Sequence, residues 1–310
     1  MTALLKPNAV PADAIVAIVS PASTPKPDRV ERGLDALRAL GFMPLPAEHI
    51  LTSGPLYFAG TPQARLRDLH HAFADDEVRA IFCSRGGYGS NYLLDGLDLD
   101  LIAESAKPFI ASSDMTALQL WLLDQLQLPA FHGPMLSADF SRPDGVHLPS
   151  LRAALSGDIY SLGPEEGLRA LHPGRARGTL YGGCLSILLA LLGTPFEPQT
   201  EGKLLFLEDT GVKPYQIDRM LWQLLEAGKL EGVKGIVFGE MLDCVSPGAP
   251  ADLLEEAILR VLEDFKGPIA IGLRSGHVSR SHVTLTFGVE AELDAAKDPL
   301  LHMVEPAVTK

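Results

Sequence analysis

VRAIFCSRGGYGS, residues 78–90, sets a short apolar run, broken only by Arg79, directly against a glycine-rich loop. An apolar run of this length, bounded by glycine, reads as a strand buried on both faces, the kind that parallel sheets contain. The flanking sequence repeats the pattern. Upstream, IVAIVSPAS (15–23) is a β-branched run closed by Ser-Pro, and FMPLPA (42–47) is a second strand. Between them Asp28 to Leu40 has helical spacing at Val30, Leu34, Leu37 and Leu40, with Gly41 as its stop. Pro62 to Phe73 is a helix with Pro near its start and Leu66, Leu69 and Phe73 on one face. Downstream, KPFIAS (107–112) is a fourth strand and Thr116 to Leu126 a strongly apolar helix. Strands alternating with helices predict an α/β fold, a parallel sheet with helices on both faces. Ser20-Pro21, Arg85-Gly86-Gly87 and Ser113-Asp114 then fall just past three strand ends, the edge where open parallel sheets bind ligands.

At 310 residues the chain is long for one core, so two domains are expected. The pattern weakens from Ser137 to Pro173, where DFSRPDGVHLPS and LHPGRARG are polar and rich in Pro and Gly. The expected division is an N-terminal α/β domain over 1–150, a linker over 151–174 and a C-terminal domain over 175–310. In the latter, KLLFLE (203–208), VKGIVFGE (233–240) and PIAIGL (268–273) read as strands. PYQIDRMLWQLLEAG (214–228) is a helix with Ile217, Met220, Leu221, Leu224 and Leu225 in register, and LLEEAILRVLEDF (253–265) is another. LYGGCLSILLALLGTPF (180–196) reads as a buried helix, too short and Gly-interrupted to span a bilayer, and HVTLTFGVEAELDA (282–295) as a terminal hairpin.

The charge balance excludes some partners. Lys and Arg number 26 against 39 Asp and Glu, and the resulting net charge of −13 repels phosphate backbones and anionic lipid, so neither nucleic acid nor a membrane surface is an expected partner. The N-terminus, broken by Pro7 and Pro11 with Asp13 before its first apolar run, does not read as a signal peptide. Cys83, Cys184 and Cys244 are odd in number and far apart, which argues against a disulfide framework or a zinc site and for a reducing, cytoplasmic compartment.

Ser113, between a buried strand and a helix start, suits an exposed nucleophile on a sharp turn, with backbone N–H groups nearby for an oxyanion. It equally suits a helix cap with Asp114, and local sequence favours the cap. Arg85-Gly86-Gly87-Tyr88-Gly89 is either a tight turn or a loop whose glycines let a ligand approach the backbone. Glu208, ending its strand, can orient an imidazole or simply be solvated with Asp209; His277, in SGHVS, is a candidate general base among several histidines. There is no H-E-x-x-H, G-x-S-x-G or G-x-G-x-x-G. Taken together, the strand ends carry a Gly-rich turn, a Ser, a carboxylate and a His, the parts of Ser-based acyl transfer.

These residues and the runs around them resemble a known family. YFAGTPQARLRDLHHAF (57–73), SRGGYGS (84–90), ASSDMT (111–116), HGPM (132–135), YGGCLSIL (181–188), LEDTGVKPYQIDRML (207–221) and GLRSGHV (272–278) look like the LD-carboxypeptidases of peptidase family S66, over Ile15 to Asp294. The resemblance implies a glutamine-amidotransferase-like, flavodoxin- or Rossmann-like N-terminal domain and a swivelling β/α C-terminal domain, with a site between them. It implies Ser113 as nucleophile, Glu208 and His277 as the rest of a triad, and an oxyanion hole from the backbone N–H of Asp114 and of Gly86 or Gly87. It implies no metal or cofactor, a homodimer, and release of terminal D-Ala from murein tetrapeptides in cell-wall recycling. Arg85, Tyr88, Arg219 and Arg274 lie in or beside the motifs; Arg pairs well with a free carboxylate, which makes Arg85, Arg219 and Arg274 substrate-binding candidates beside Tyr88. The chain departs from the family at Ala111 and Ser112, where Gly and an aromatic are usual, at Cys184 in place of Asn, and at Thr286 in place of Pro.

Two other functions fit the same parts. Some relatives resemble microcin-immunity peptidases that cleave an aminoacyl-nucleotide conjugate and need an aromatic to stack on the base; Trp121 and Trp222, on apolar helices, read as core. A non-catalytic muropeptide-binding protein is the other.

Overall fold

A computed structural model of the protein describes residues 3–250 and 252–310. In chain order the elements begin β1 (Ile15–Val19), α1 (Pro27–Ala39), β2 (Met43–Pro46), α2 (Pro62–Ala74), β3 (Val78–Cys83), α3 (Leu99–Glu104), β4 (Phe109–Ala111), α4 (Thr116–Leu126), β5 (Ala130–His132) and α5 (Leu148–Ser156). They continue with β6 (Ser161–Leu162), β7 (Arg169–His172), β8 (Arg175–Cys184), α6 (Leu185–Leu191), β9 (Lys203–Glu208), α7 (Pro214–Glu226), β10 (Gly235–Gly239) and α8 (Leu253–Val261). The last are β11 (Ile269–Leu273), β12 (Leu285–Phe287), β13 (Glu290–Asp294) and β14 (Leu300–Met303).

The chain divides into two compact units. The first comprises Met1–Asp158, Arg280–Gly288 and Pro306–Lys310, the second Ile159–Ser279 and Val289–Glu305. The first holds a six-stranded sheet in the order β12-β5-β4-β3-β1-β2, in which every pair is parallel except β12 on β5. Strands β2-β1-β3-β4-β5 therefore follow the doubly wound order whose switch point lies between β1 and β3. Val16, Ile18, Ile81, Phe82, Ile110 and Phe131 are fully buried in this sheet, and burying a side chain of this kind contributes about 1.5–3 kcal/mol. Thr61 caps α2 by accepting the Ala64 N–H at 3.2 Å, with Pro62 opening the helix. Its other end is closed by Lys107, whose ammonium donates to the Ala72 and Phe73 carbonyls at 3.1 and 2.5 Å and to that of Asp75.

The second unit holds an eight-stranded mixed sheet, β6-β14-β13-β8-β9-β10-β11-β7. Its centre, β8-β9-β10-β11, is parallel, and antiparallel strands extend it on both sides.

Four expectations are corrected. The 180–196 run is not one helix: residues up to Cys184 belong to β8 and pair with Leu204–Glu208, and helix α6 occupies only Leu185–Leu191. Gly182 permits this pairing, because a Cβ there would lie 2.0 Å from the Phe206 carbonyl oxygen. The expected hairpin over 282–295 is split: β12 pairs with β5 in the first unit, and β13 with β8 and β14 in the second. Residues 151–174 are not a linker, since they complete α5 and contribute β6 and β7 to the second sheet, and the division falls at Asp158–Ile159 with two returns to the first unit. Trp222 is 54% exposed rather than core, because α7 buries Ile217, Leu221 and Leu224, and Trp222 sits about 100° around the helix from Leu221.

Candidate active site

In the first unit the chemistry gathers at the carboxyl ends of β1, β3 and β4. β4 ends at Ala111, Ser112 is extended at φ −154°, and Ser113 turns into the left-handed region at φ +63° before a short 3-10 turn leads into α4. A side chain other than glycine rarely holds that backbone, and such outliers cluster at functional sites. The strain thus falls on Ser113 itself and not on Ala111, which stays in the strand and is fully buried. Met115 stands at the N-cap position of α4, and the Asp114 carboxylate accepts the Ser90 N–H, at 2.8 Å. Burial raises the Asp114 carboxyl above its ordinary value, and Ser90 and the nearby Arg65 cation oppose the shift.

The loop after β3 packs against this turn. A Cβ on Gly86 would lie 2.8 Å from both Cβ and Oγ of Ser113 and 3.3 Å from the Asp114 nitrogen, so only glycine fits here. The Gly86 carbonyl accepts the Ser23 N–H at 3.3 Å, and the Tyr88 N–H donates to Ser23 Oγ at 3.2 Å. Across a trans peptide the Gly87 N–H points opposite to the Gly86 carbonyl, hence away from Ser23. Ser137 donates both N–H and hydroxyl to the Ser84 carbonyl at 2.8 Å, and Ser84 Oγ lies 2.6 Å from Ser20 Oγ, joining the ends of β1 and β3.

Sequence reasoning passed over Arg65. It lies on the buried face of α2 with Asp68, Leu69, Ala72 and Phe73, and is 2% exposed. A charged pair at i, i+3 on an apolar face was the available signal. Asp68 accepts the His49 backbone N–H at 3.0 Å and bonds its ring Nδ1 at 2.8 Å.

In the second unit β9 ends on Glu208, which is fully buried. Its Oε2 accepts the His277 backbone N–H at 2.9 Å and lies 2.8 Å from His277 Nδ1. The bond holds the imidazole with its proton on Nδ1 and leaves Nε2 as the basic nitrogen. Gly276, at φ +86°, makes room: a Cβ there would lie 2.4 Å from Glu208 Cδ. Cys184 is the register partner of Glu208 across β8 and β9. Its thiol is pushed well above its ordinary value, chiefly by burial and then by the Glu208 and Asp209 carboxylates. Asp209, itself raised by burial, accepts the Ser186 and Thr210 N–H groups at 2.9 Å.

The other candidates separate. Arg85, half-buried, donates to the Thr24 carbonyl at 3.2 Å beside the Gly86 loop. Tyr88 belongs to an aromatic cluster with Tyr57, Phe58 and Tyr92. Arg274 donates to the Glu165 carbonyl at 2.5 Å, a bond within its own unit's edge. Arg219, exposed, stacks over Tyr215 with 5.8 Å to the ring centre. Of the competing histidines, His282 bonds Asp139, His147 bonds Ser150 and His172 faces the Gly267 carbonyl. Among the described residues no group of three or more His, Cys, Asp or Glu is placed to hold a metal ion, and no helix is long and apolar enough to cross a membrane.

Comparison with known proteins bears on what this arrangement does. Residues 16–133 match the LD-carboxypeptidase N-terminal domain, and residues 177–293 the LD-carboxypeptidase C-terminal domain. The chain is 39% identical over 301 residues to the "probable murein peptide carboxypeptidase" of Bacillus subtilis strain 168, covering 94% of this chain and 92% of that one. The crystal structure of a muramoyltetrapeptide carboxypeptidase from Oxalobacter formigenes superposes with a TM-score of 0.85 at 27% identity, covering 96% of this chain and all of that one. An MccF-like protein from Bacillus anthracis superposes with a TM-score of 0.88 at 26% identity, covering 96% of this chain and 99% of that one.

Proposed function

The chain belongs to the LD-carboxypeptidase family, peptidase family S66, and on that footing we propose that it is a serine carboxypeptidase that releases the terminal D-Ala of murein tetrapeptides by cleaving an L,D amide bond. The observation that carries the reading is the left-handed backbone of Ser113, at φ +63° in a strand-to-helix turn with Gly86 packed against its side chain.

In this proposal Ser113 Oγ attacks the scissile carbonyl and His277 takes its proton. Glu208 holds the imidazole tautomer and stabilises the imidazolium. The tetrahedral oxyanion is held by the N–H of Asp114 and of Gly86 or Gly87, donors of a type whose individual loss costs on the order of 100-fold or more in rate. His277 then protonates the leaving D-Ala amine, and water, deprotonated by the same imidazole, frees the acyl group from Ser113. Arg85 is the substrate-carboxylate candidate that the geometry favours, because it flanks the Gly86 loop while Arg274 and Arg219 are engaged elsewhere. Cytoplasmic placement belongs to the same proposal and is supported by the three cysteines, none of which forms a disulfide. So does a homodimer, supported by the family resemblance alone.

The test is to incubate the protein and its Ser113→Ala variant with purified murein tetrapeptide and follow loss of D-Ala by mass. Release by the wild type and none by a folded variant supports the reading; equal turnover by both refutes Ser113. A second reading, hydrolysis of an aminoacyl-nucleotide conjugate, is supported by the likeness to the MccF-like protein. Faster cleavage of an aminoacyl sulfamoyl adenosine than of the tetrapeptide favours it.

A further inference from the structure

Arg65 is a guanidinium buried to 2% exposure on α2, and two of its nitrogens, Nε and Nη2, have no hydrogen-bond partner among the described residues. Burying a cation so incompletely paired costs stability. What it does make is specific. Its Nη1 donates to the Pro21 carbonyl at 2.5 Å and to the Gly89 carbonyl at 2.8 Å, and its plane lies over the Phe58 ring, 5.2 Å from the centre. Pro21 follows β1 and Gly89 closes the glycine loop after β3, so one nitrogen ties together the two sides of the sheet's switch point.

The bond to Gly89 reaches further. The Gly89 carbonyl and the Ser90 N–H belong to one peptide group. Arg65 holds the carbonyl, and the Asp114 carboxylate accepts the N–H at 2.8 Å. Ser90 Oγ also donates to the Asp114 backbone carbonyl, at 2.6 Å. A cation at one edge and an anion at the other align this peptide along its own dipole, and bonds in such a chain strengthen one another. The peptide is thereby locked to the residue that follows Ser113. Close packing leaves no slack: a Cβ on Gly89 would lie 2.8 Å from the Phe58 ring and 3.1 Å from Arg65 Nη1.

We propose that Arg65 is a positioning residue for the reaction: it touches no substrate, and it fixes the Gly86–Gly89 loop and the Asp114 N–H in the geometry that an oxyanion hole at Ser113 requires. The inference rests on the reading of Ser113 as the nucleophile. A donor displaced from the oxyanion loses its contribution to the transition state while ground-state binding persists. Arg65 variants therefore lose kcat at constant KM, whereas a residue that binds substrate shifts KM.

The experiment compares wild type, Arg65→Lys and Arg65→Met as full-length proteins. It measures kcat and KM for murein tetrapeptide, the rate of Ser113 labelling by a fluorophosphonate, and the thermal midpoint. The expected result is a kcat loss on the order of 100-fold for Arg65→Met, partial rescue by lysine, which restores a charge but not the fork, an unchanged KM, and slowed labelling in both variants. Unfolding of Arg65→Met shifts the decision to Arg65→Lys. A folded lysine variant with wild-type kcat and labelling rate overturns the positioning role while leaving Ser113 intact, and so does a rise in KM alone. Wild type that neither releases D-Ala nor labels at Ser113 overturns the functional reading and the inference with it.

Discussion

His277 Nδ1 lies 2.8 Å from Glu208 Oε2, and the same oxygen receives the His277 backbone N–H at 2.9 Å. One buried carboxylate oxygen thus sets both the ring and the main chain of the histidine. The carboxylate cannot move to relieve this, because it ends strand β9 and is walled in on one side by Gly276.

Glu208→Gln follows from that geometry. The amide keeps the shape of the carboxylate, and its oxygen in the place of Oε2 still accepts both His277 N–H groups, but the negative charge that stabilises the imidazolium is gone. The expected outcome is a kcat lower by on the order of 10- to 100-fold, what a hydrogen bond to a charged group contributes, with the protein folded. Steady-state kinetics beside a thermal melt checks it; a loss of less than tenfold argues against His277 as the base.

Ser113 gives a second prediction, on stability rather than rate. Ser113→Ala and Ser113→Gly both remove the hydroxyl and both abolish turnover on the proposed mechanism. They differ in backbone freedom, since the left-handed region costs a residue with a Cβ about 1–2 kcal/mol. Ser113→Gly is therefore the more stable of the two by roughly 1 kcal/mol, reduced somewhat by the greater entropy of the unfolded glycine chain. Urea unfolding of both proteins decides it, and equal midpoints would remove the case for strain at this turn.

The three buried thiols make a prediction about pH. Burial pushes Cys244 up to about 11 and Cys83 and Cys184 well above their ordinary value. Thiols of the unfolded chain ionise near about 8.5, while the native thiols keep their protons, so the native state binds more protons across the interval. Stability is then fully present below about 8.5 and falls as pH rises toward about 11. Wild type should lose more of its thermal midpoint between neutral and alkaline pH than a variant with all three cysteines replaced by alanine. A parallel fall in both proteins would assign the loss to other groups. The native thiols should also resist alkylation until the chain unfolds.

Much of the fold was legible because apolar periodicity is local. The Thr116–Leu126 helix and the KLLFLE strand fall where the spacing puts them. The failures share one cause. LYGGC reads as the start of a helix until Phe206 and Glu208 are present to pair with it, and HVTLTF reads as half a hairpin until β5 claims it. Strand partners far apart in the chain leave no periodic trace. Trp222 is the exception: its place about 100° around α7 from Leu221, off the buried stripe of Ile217, Leu221 and Leu224, follows from helical spacing alone.

By itself the sequence determined the residue types and the order in which they reach the strand ends: serine past β4, glutamate closing β9, histidine past β11, and a glycine loop past β3. Those follow from composition and short-range spacing. Only the tertiary structure decided that Ser113 carries a left-handed backbone, that Gly86 presses on it, that Glu208 fixes the tautomer of His277, and that Arg65 and Asp114 hold opposite edges of one peptide. The last three are contacts of a few ångströms between residues tens of positions apart, and the first is a backbone turn against which one of those contacts packs. Such contacts arise from sheet order and close packing, which local pattern does not encode.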